Sequence, residues 1–265
     1  MQPQSIVINR RIKLKDFDTR YSAGMEKEAA KEQTKKLVKR IADLQELLYA
    51  NSTHSVLLLF QGLDASGKDG AVGSVLEQVN PVGVKVANFK VPSDEERAHD
   101  YLWRVHRAVP RYGNIGVFNR SHYEAVLAER VLGLVSAKIC AQRYGQIIAW
   151  ERMLVENRVV ILKFFLHLSR EEQAERFRER LHNPRKKWKF SPGDLVVRKQ
   201  WKQYMAAYEE TLNATSHPLA RWHIVPADRN WYRDFVIANA VAKAMETLDL
   251  KWPKPKSDLS KVRFT

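Results

Sequence analysis

Gly62-Leu63-Asp64-Ala65-Ser66-Gly67-Lys68 decides the fold of this chain. The apolar run Ser55–Phe60 precedes it, and residues 68–79 follow with a helical pattern. A Gly-x-x-x-x-Gly-Lys loop between strand and helix lets successive backbone N–H groups curl around a phosphate. The helix N-terminus adds partial positive charge, and the lysine reaches the outer phosphates. Gly62, Ala65, Ser66, Gly67, Lys68, Asp69 and Gly70 are therefore the candidate phosphate-binding residues. The bland alternative is a tight turn that holds no ligand.

The loop departs from the usual pattern at one position. Ser or Thr normally follows the lysine and offers a hydroxyl to Mg²⁺, whereas here the residue is Asp69, with Asp64 inside the loop as well. Two carboxylates would repel a bare phosphate unless a divalent cation offsets them or one is bonded structurally. Hard oxygen ligands beside phosphate suit Mg²⁺, with Mn²⁺ as its substitute, and Asp64 is the metal candidate. For Asp69, capping the helix or complementing its dipole is an equal reading.

Outward from the loop, Val84–Phe89, Ile115–Phe118, Val159–Leu166 and Trp222–Val225 are further apolar runs suited to buried strands. Helical patterns at 94–108, 121–132, 142–157 and 230–248 separate them. The alternation predicts an α/β fold, a parallel sheet flanked by helices on both faces. Leu37, Ile41, Leu44 and Leu48 mark an amphipathic helix over 25–49. Residues 1–24 read as an irregular arm and Trp252-Pro253-Lys254-Pro255-Lys256 as an extended tail. The expected units are an arm and helix at 1–50, a core at 51–250 and a tail at 251–265.

A second chemical motif follows the strand at 115–118: Asn119-Arg120-Ser121-His122-Tyr123-Glu124. A neighbouring strand end of this kind usually delivers a carboxylate to the metal, but here it holds an amide, Asn119. Arg120 would stand beside the phosphate loop, where a guanidinium grips phosphoryl oxygens in bidentate fashion. Against a role for Glu124 stands Ser121-x-x-Glu124 as a capping box that only starts a helix.

Charge is unevenly spread. The 265 residues carry 45 Lys+Arg against 30 Asp+Glu, net +15, and the stretch from Arg176 to Lys202 holds ten of the cations with two acids. Repulsion within such a cluster is relieved by a polyanion: nucleic acid, membrane surface or phosphate. Two helical patterns carry it, separated by Asn183-Pro184 and Ser191-Pro192-Gly193, an insertion at about 169–212 that reads as a lid. Lys187 and Lys189 within it are candidate phosphate ligands. An ordinary helical hairpin is the alternative.

At 45% hydrophobic and 28% charged residues the composition is that of a soluble globular protein. No run approaches the roughly 18 apolar residues of a membrane span. Met1-Gln2-Pro3-Gln4 has no signal-peptide character, and the single Cys140 excludes a disulfide framework and a cysteine zinc site. A cytoplasmic protein without membrane contact is expected. His99, Trp103 and His106 read as packing rather than metal ligands.

Four stretches together resemble the polyphosphate kinase 2 family: Gly62–Gly70, Phe118–Glu124, Asn183–Asp194 and Val225-Pro226-Ala227-Asp228-Arg229-Asn230-Trp231-Tyr232-Arg233. The resemblance implies a three-layer P-loop kinase fold with a thymidylate-kinase-like core and a helical lid, Mg²⁺ dependence, inorganic polyphosphate with AMP, ADP and ATP as substrates, and homo-oligomers, often tetramers. By position it implies Asp64 and Lys68 as the essential loop residues, Arg120 as the phosphate clamp, and Arg176 and Arg180 as lid arginines. The last two, four apart, share a helix face. Many members have Asp where this chain has Asn119 and Asn where it has Glu124. The arrangement here resembles the subclass that phosphorylates both AMP and ADP. Two rivals remain. An ATP-dependent nucleotide kinase leaves the basic lid unexplained, and a nucleic-acid-binding P-loop protein would stack bases on Trp188, Phe190 and Trp201.

Overall fold

The computed structural model describes residues 6–255, 257, 262 and 263; the expectations for Met1–Gln4 and for Lys256 lie outside them. Six strands form one sheet: β1 (Ile6–Val7), β2 (Ser55–Gln61), β3 (Val84–Asn88), β4 (Ile115–Asn119), β5 (Val159–His167) and β6 (Trp222–Pro226). Their order is β1-β6-β5-β2-β4-β3. Five run parallel, and β1 adds antiparallel to β6, with Ile6 opposite Ile224. The arm expected to be irregular therefore lends the sheet an edge strand, which is too short to announce itself by period.

Strand β2 is buried along its whole length, as a central parallel strand covered on both faces must be. Its alternate residues serve two cores. Val56, Leu58 and Phe60 face α1 (Lys27–Asn51), α2 (Lys68–Val75) and α10 (Asn230–Glu246). Leu57 and Leu59 face α6 (Ala137–Glu156) and α9 (Trp201–Thr215). The chain leaves β2 for the β3 edge, returns to β4, then crosses to β5 on the other side of β2. That reversal opens a crevice at the carboxyl ends of β2, β4 and β5, where open parallel sheets bind ligands.

Two expected helices are broken up. The 94–108 pattern becomes two four-residue helices, α3 (Asp94–Arg97) and α4 (Trp103–His106). The 121–132 pattern becomes a 3-10 turn over His122–Ala125 and a short α5 (Ala128–Val131). The basic insertion holds α7 (Arg170–His182), a 3-10 turn at Lys187–Lys189, α8 (Pro192–Lys199) and α9. None of the eight α8 residues is buried, whereas α9 sinks Tyr204, Tyr208 and Leu212 into the second core. The stretch that stands off the core is thus shorter than 169–212. Among the described residues no helix is long and apolar enough to cross a membrane.

Candidate active site

The phosphate loop forms as its glycines require. Gly62 (φ +152°) and Gly67 (φ +94°) both lie where side chains are strained. A Cβ on Gly62 would meet the Leu166 carbonyl at 3.0 Å, and one on Gly67 the Arg233 guanidinium nitrogen at 2.0 Å. No side chain caps α2, which leaves its N-terminal amides for an anion. Lys68 is buried, and its Nζ donates to the Gly62 carbonyl at 2.6 Å and the Leu63 carbonyl at 3.3 Å. Burial, then the Arg120 charge, pushes its pKa down to about 8, while Asp64, Glu124 and Asp69 pull the other way.

Asp69 does not cap α2. Its Oδ1 accepts from Asn119 Nδ2 at 2.5 Å, tying the helix start to the end of β4. Arg120 takes the left-handed conformation (φ +62°), a strain that persists only where the surroundings fix it. Its guanidinium donates to Asp64 Oδ1 at 2.6 Å. Burial opposes its charge, but Glu124 and Asp64 outweigh burial and raise its pKa.

The capping-box reading of Glu124 is not what forms. Ser121 accepts instead from the Tyr123 N–H at 3.3 Å. Gln61 donates its amide to Glu124 Oε1 at 3.0 Å and accepts from the Ser121 N–H at 3.1 Å. Half-buried Glu124 faces Lys68 and Arg120, and burial lifts its pKa against their pull.

The two arginines of α7 do different things. Arg176 donates through Nε to Glu172 at 2.9 Å and through its other nitrogens to the carbonyls of Ala65, Ala227 and Asp228 at 2.6–3.1 Å. It braces the phosphate loop against the loop after β6. Arg180 lies over Phe177 at 5.5 Å and reaches Asp194 Oδ2 at 3.4 Å. Burial, then the charge of Asp64, raises the pKa of the Asp194 carboxyl at the start of α8. Lys187 and Lys189 are exposed beside Trp188, itself 77% exposed. Phe190 packs on Phe177 and Trp201 on the second core, so the three aromatics do not form one stacking face.

The cleft therefore carries Asp64, Glu124 and Asp194 among Lys68, Arg120 and Arg180. Tyr204 and Tyr208 are buried in the second core: burial first, then Glu124, raises the pKa of each. Next to the turn at Ser121 and His122 lies a cavity of about 290 Å³, lined also by His99, Tyr101, Arg104 and Arg143. A larger hollow of about 620 Å³ between Arg11 and Glu209 shares no lining residue with the phosphate loop. His99 stacks on Trp103 at 4.0 Å and His106 accepts from Trp150 Nε1 at 3.2 Å, as packing residues do.

Three site residues escaped the sequence reading. Gln61 holds the β4 turn, Gln173 donates to the Asp64 carbonyl at 2.9 Å, and Arg233 presses its guanidinium on Gly67 and Gly70. Arg233 left a signal. It occupies a buried stripe of α10 with Val236, Ile237, Ala240 and Val241, where a lone cation needs a reason. The glutamines left none.

A family model for polyphosphate kinase 2 matches residues 24–253. An AMP/ADP-polyphosphate phosphotransferase of Meiothermus ruber is 46% identical over 254 residues, covering 95% of each chain. An ADP-polyphosphate phosphotransferase of Rhodopseudomonas palustris is 44% identical over 229 residues, 82% of this chain and 79% of that one. The crystal structure of polyphosphate kinase 2 from Arthrobacter aurescens TC1 superposes with a TM-score of 0.94 at 37% identity, covering 96% of this chain and 92% of that one.

Proposed function

The chain belongs to the polyphosphate kinase 2 family, and from that membership we propose that it moves phosphoryl groups between inorganic polyphosphate and nucleotides, taking AMP to ADP and ADP to ATP. One observation carries the reading: a phosphate loop with Asp64 and Lys68 faces Arg120 and a basic lid across a single cleft. Use of both AMP and ADP is supported by neutral Asn119 on Asp69 and by Glu124 turned towards Lys68 and Arg120.

In the forward reaction an oxygen of the acceptor phosphate attacks the terminal phosphorus of polyphosphate. The bridging P–O bond breaks and its electron pair leaves on the shortened chain. The acceptor is already an anion, so no general base is needed. Transfer of this kind depends on positioning and charge neutralisation. Loop amides and Lys68 hold phosphate oxygens, and Arg120 neutralises charge on the transferring group. Arg180, Lys187 and Lys189 hold the polyanion, and closure of the lid excludes water. Polyphosphate enters on the lid side, and the nucleoside takes the cavity by Ser121 and Tyr101, where polar and aromatic groups mix.

Mg²⁺ fits this donor set. Among the described residues no group of three metal-ligating side chains is found, and the ion is ordinarily held by one or two carboxylates with phosphate and water completing the shell. Asp64 is the residue to hold it, with Glu124 within reach of an ordered water. Held there, the ion would supply positive charge to offset that of the phosphates. Cytoplasmic residence follows from these substrates. Self-association, in the form of a homotetramer, would have exposed Leu132 and Leu134 between α5 and α6 and Ile139 in the first turn of α6 to bury, and light scattering measures it.

The test is donor dependence. ADP and Mg²⁺ should yield ATP only when polyphosphate is present. AMP with ATP as sole donor should give far slower transfer; equal rates would favour an ordinary nucleotide kinase.

A further inference from the structure

Beneath the β4 turn lies a buried polar cluster to which the reaction assigns no part. Glu151 of α6 and Lys163 of β5 are both fully buried and paired, Nζ to Oε2, at 2.7 Å. Nζ also donates to the Thr215 carbonyl at 2.8 Å and to the Tyr123 hydroxyl at 3.0 Å. The Tyr123 hydroxyl donates to Glu151 Oε1 at 2.7 Å, and His217 Nε2 meets Oε2 at 2.9 Å. His122 Nε2 stands 3.6 Å from the same carboxylate, with its ring against Trp150. Trp222 packs edge-on against Tyr123 and donates to Thr215. Three groups thus hydrogen-bond to the carboxylate, and Tyr123 is held on its hydroxyl from two sides.

A buried ion pair is seldom worth more to stability than an apolar pair of the same volume. What distinguishes this one is the segment it grips. Tyr123 and His122 belong to the six-residue stretch that carries Asn119, Arg120 and Glu124. Arg120 holds a left-handed backbone, and such a conformation persists only when neighbouring contacts fix it. The contacts come from both sides. Arg120 donates its N–H to Phe60 at 3.0 Å and Ser121 its own to Gln61 at 3.1 Å. On the far side, His122 and Tyr123 are buried against the Glu151 cluster.

We propose that Glu151, with Lys163, is a positioning residue for phosphoryl transfer: through Tyr123 and His122 it fixes the turn that aims Arg120 and Glu124 at the reacting phosphates. The inference rests on the proposed function. It predicts that loosening the anchor misplaces the guanidinium while the lid still holds polyphosphate. Small misplacements of a positioned group are costly in rate.

The experiment is a double-mutant cycle between Tyr123→Phe, which deletes one hydroxyl, and Arg120→Lys, which keeps charge but loses the fork. Glu151→Gln with Lys163→Met replaces the pair without leaving either charge alone. Tyr123→Phe should lower kcat for ADP phosphorylation about tenfold with KM for polyphosphate within about twofold. In the Arg120→Lys background the same change should cost less than about twofold, since the residue being aimed is already impaired. The pair replacement should reproduce the kcat loss. Equal losses in both backgrounds, or a folded Tyr123→Phe protein with wild-type kcat, would overturn the inference. A wild-type protein without polyphosphate-dependent transfer would overturn the functional reading instead. Calorimetric binding of tripolyphosphate to the Tyr123→Phe protein should stay within about twofold of wild type, and a loss of binding as large as the loss of kcat would refute the positioning claim.

Discussion

Arg120 donates to Asp64 Oδ1 at 2.6 Å, so the residue expected to grip phosphate and the residue expected to hold Mg²⁺ neutralise each other across the mouth of the phosphate loop. Arg120 keeps 41% of its side chain exposed and Asp64 22%, and pairs so open to water contribute little to stability. Under the proposed function, phosphate taking the guanidinium would free the Asp64 carboxylate, the group that would hold the cation.

Asp64→Asn should consequently leave the melting temperature within a few degrees of wild type and depress transfer by about a hundredfold or more. Lys68→Ala should do the same to transfer. Thermal unfolding beside a steady-state assay checks both. Near-wild-type turnover in either folded variant would remove the phosphate-loop assignment.

The lysine also sets a pH dependence. Its pKa of about 8 in the free protein means that the ammonium is present below that pH and lost above it. kcat/KM for polyphosphate should fall as pH rises through about 8, while kcat at saturation persists to higher pH because bound polyanion favours the charged form. Stability runs the opposite way. The folded chain releases this proton before the unfolded one, whose ordinary value is 10.5, so the cost of burying the charge is complete below 8 and fades between 8 and 10.5. Lys68→Met should flatten that rise in unfolding free energy, which a pH series of denaturant titrations would reveal.

Arg176 and Arg180 should separate. Arg176→Ala strips three carbonyl oxygens of a donor and should cost about 1–3 kcal/mol of stability together with kcat. Arg180→Ala should raise the apparent KM for polyphosphate severalfold and flatten its salt dependence, since one fewer cation displaces counterions. Equal effects of the two on KM and on melting would show that both belong to one structural brace.

These differences mark where sequence reading stops. The loop was legible because Gly62 and Gly67 occupy backbone conformations that exclude side chains, and the parallel strands because they are largely apolar, although β3, with Lys85 and Asn88, is an exposed edge rather than the buried strand expected. The i, i+4 spacing of Arg176 and Arg180 correctly put them on one helix, but spacing cannot say that one ends on carbonyl oxygens and the other over a phenyl ring. The 121–132 pattern read as a helix since its apolar residues recur at helical intervals. The left-handed Arg120 and the anchored Tyr123 force a 3-10 turn there instead. Long-range polar contacts such as Gln61 on Glu124 have no local signature at all.

Acceptor choice is testable at Asn119 and Glu124. Asn119 now donates to Asp69, and an aspartate there would set two carboxylates face to face unless a cation joins them. Asn119→Asp with Glu124→Asn should pin the cation and acceptor in one place and depress AMP phosphorylation more than ADP phosphorylation. A ratio of the two rates equal to wild type, with only the melting temperature lowered, would reduce Glu124 to a structural residue.

The central claim is tested most directly by giving the protein AMP as its sole nucleotide, Mg²⁺ and long-chain polyphosphate, and following the adenine nucleotides in time by chromatography. ADP should appear first and ATP after it, both with a dependence on polyphosphate. No ADP or ATP from an active-site-intact, folded protein, or the same products without polyphosphate, would contradict the account.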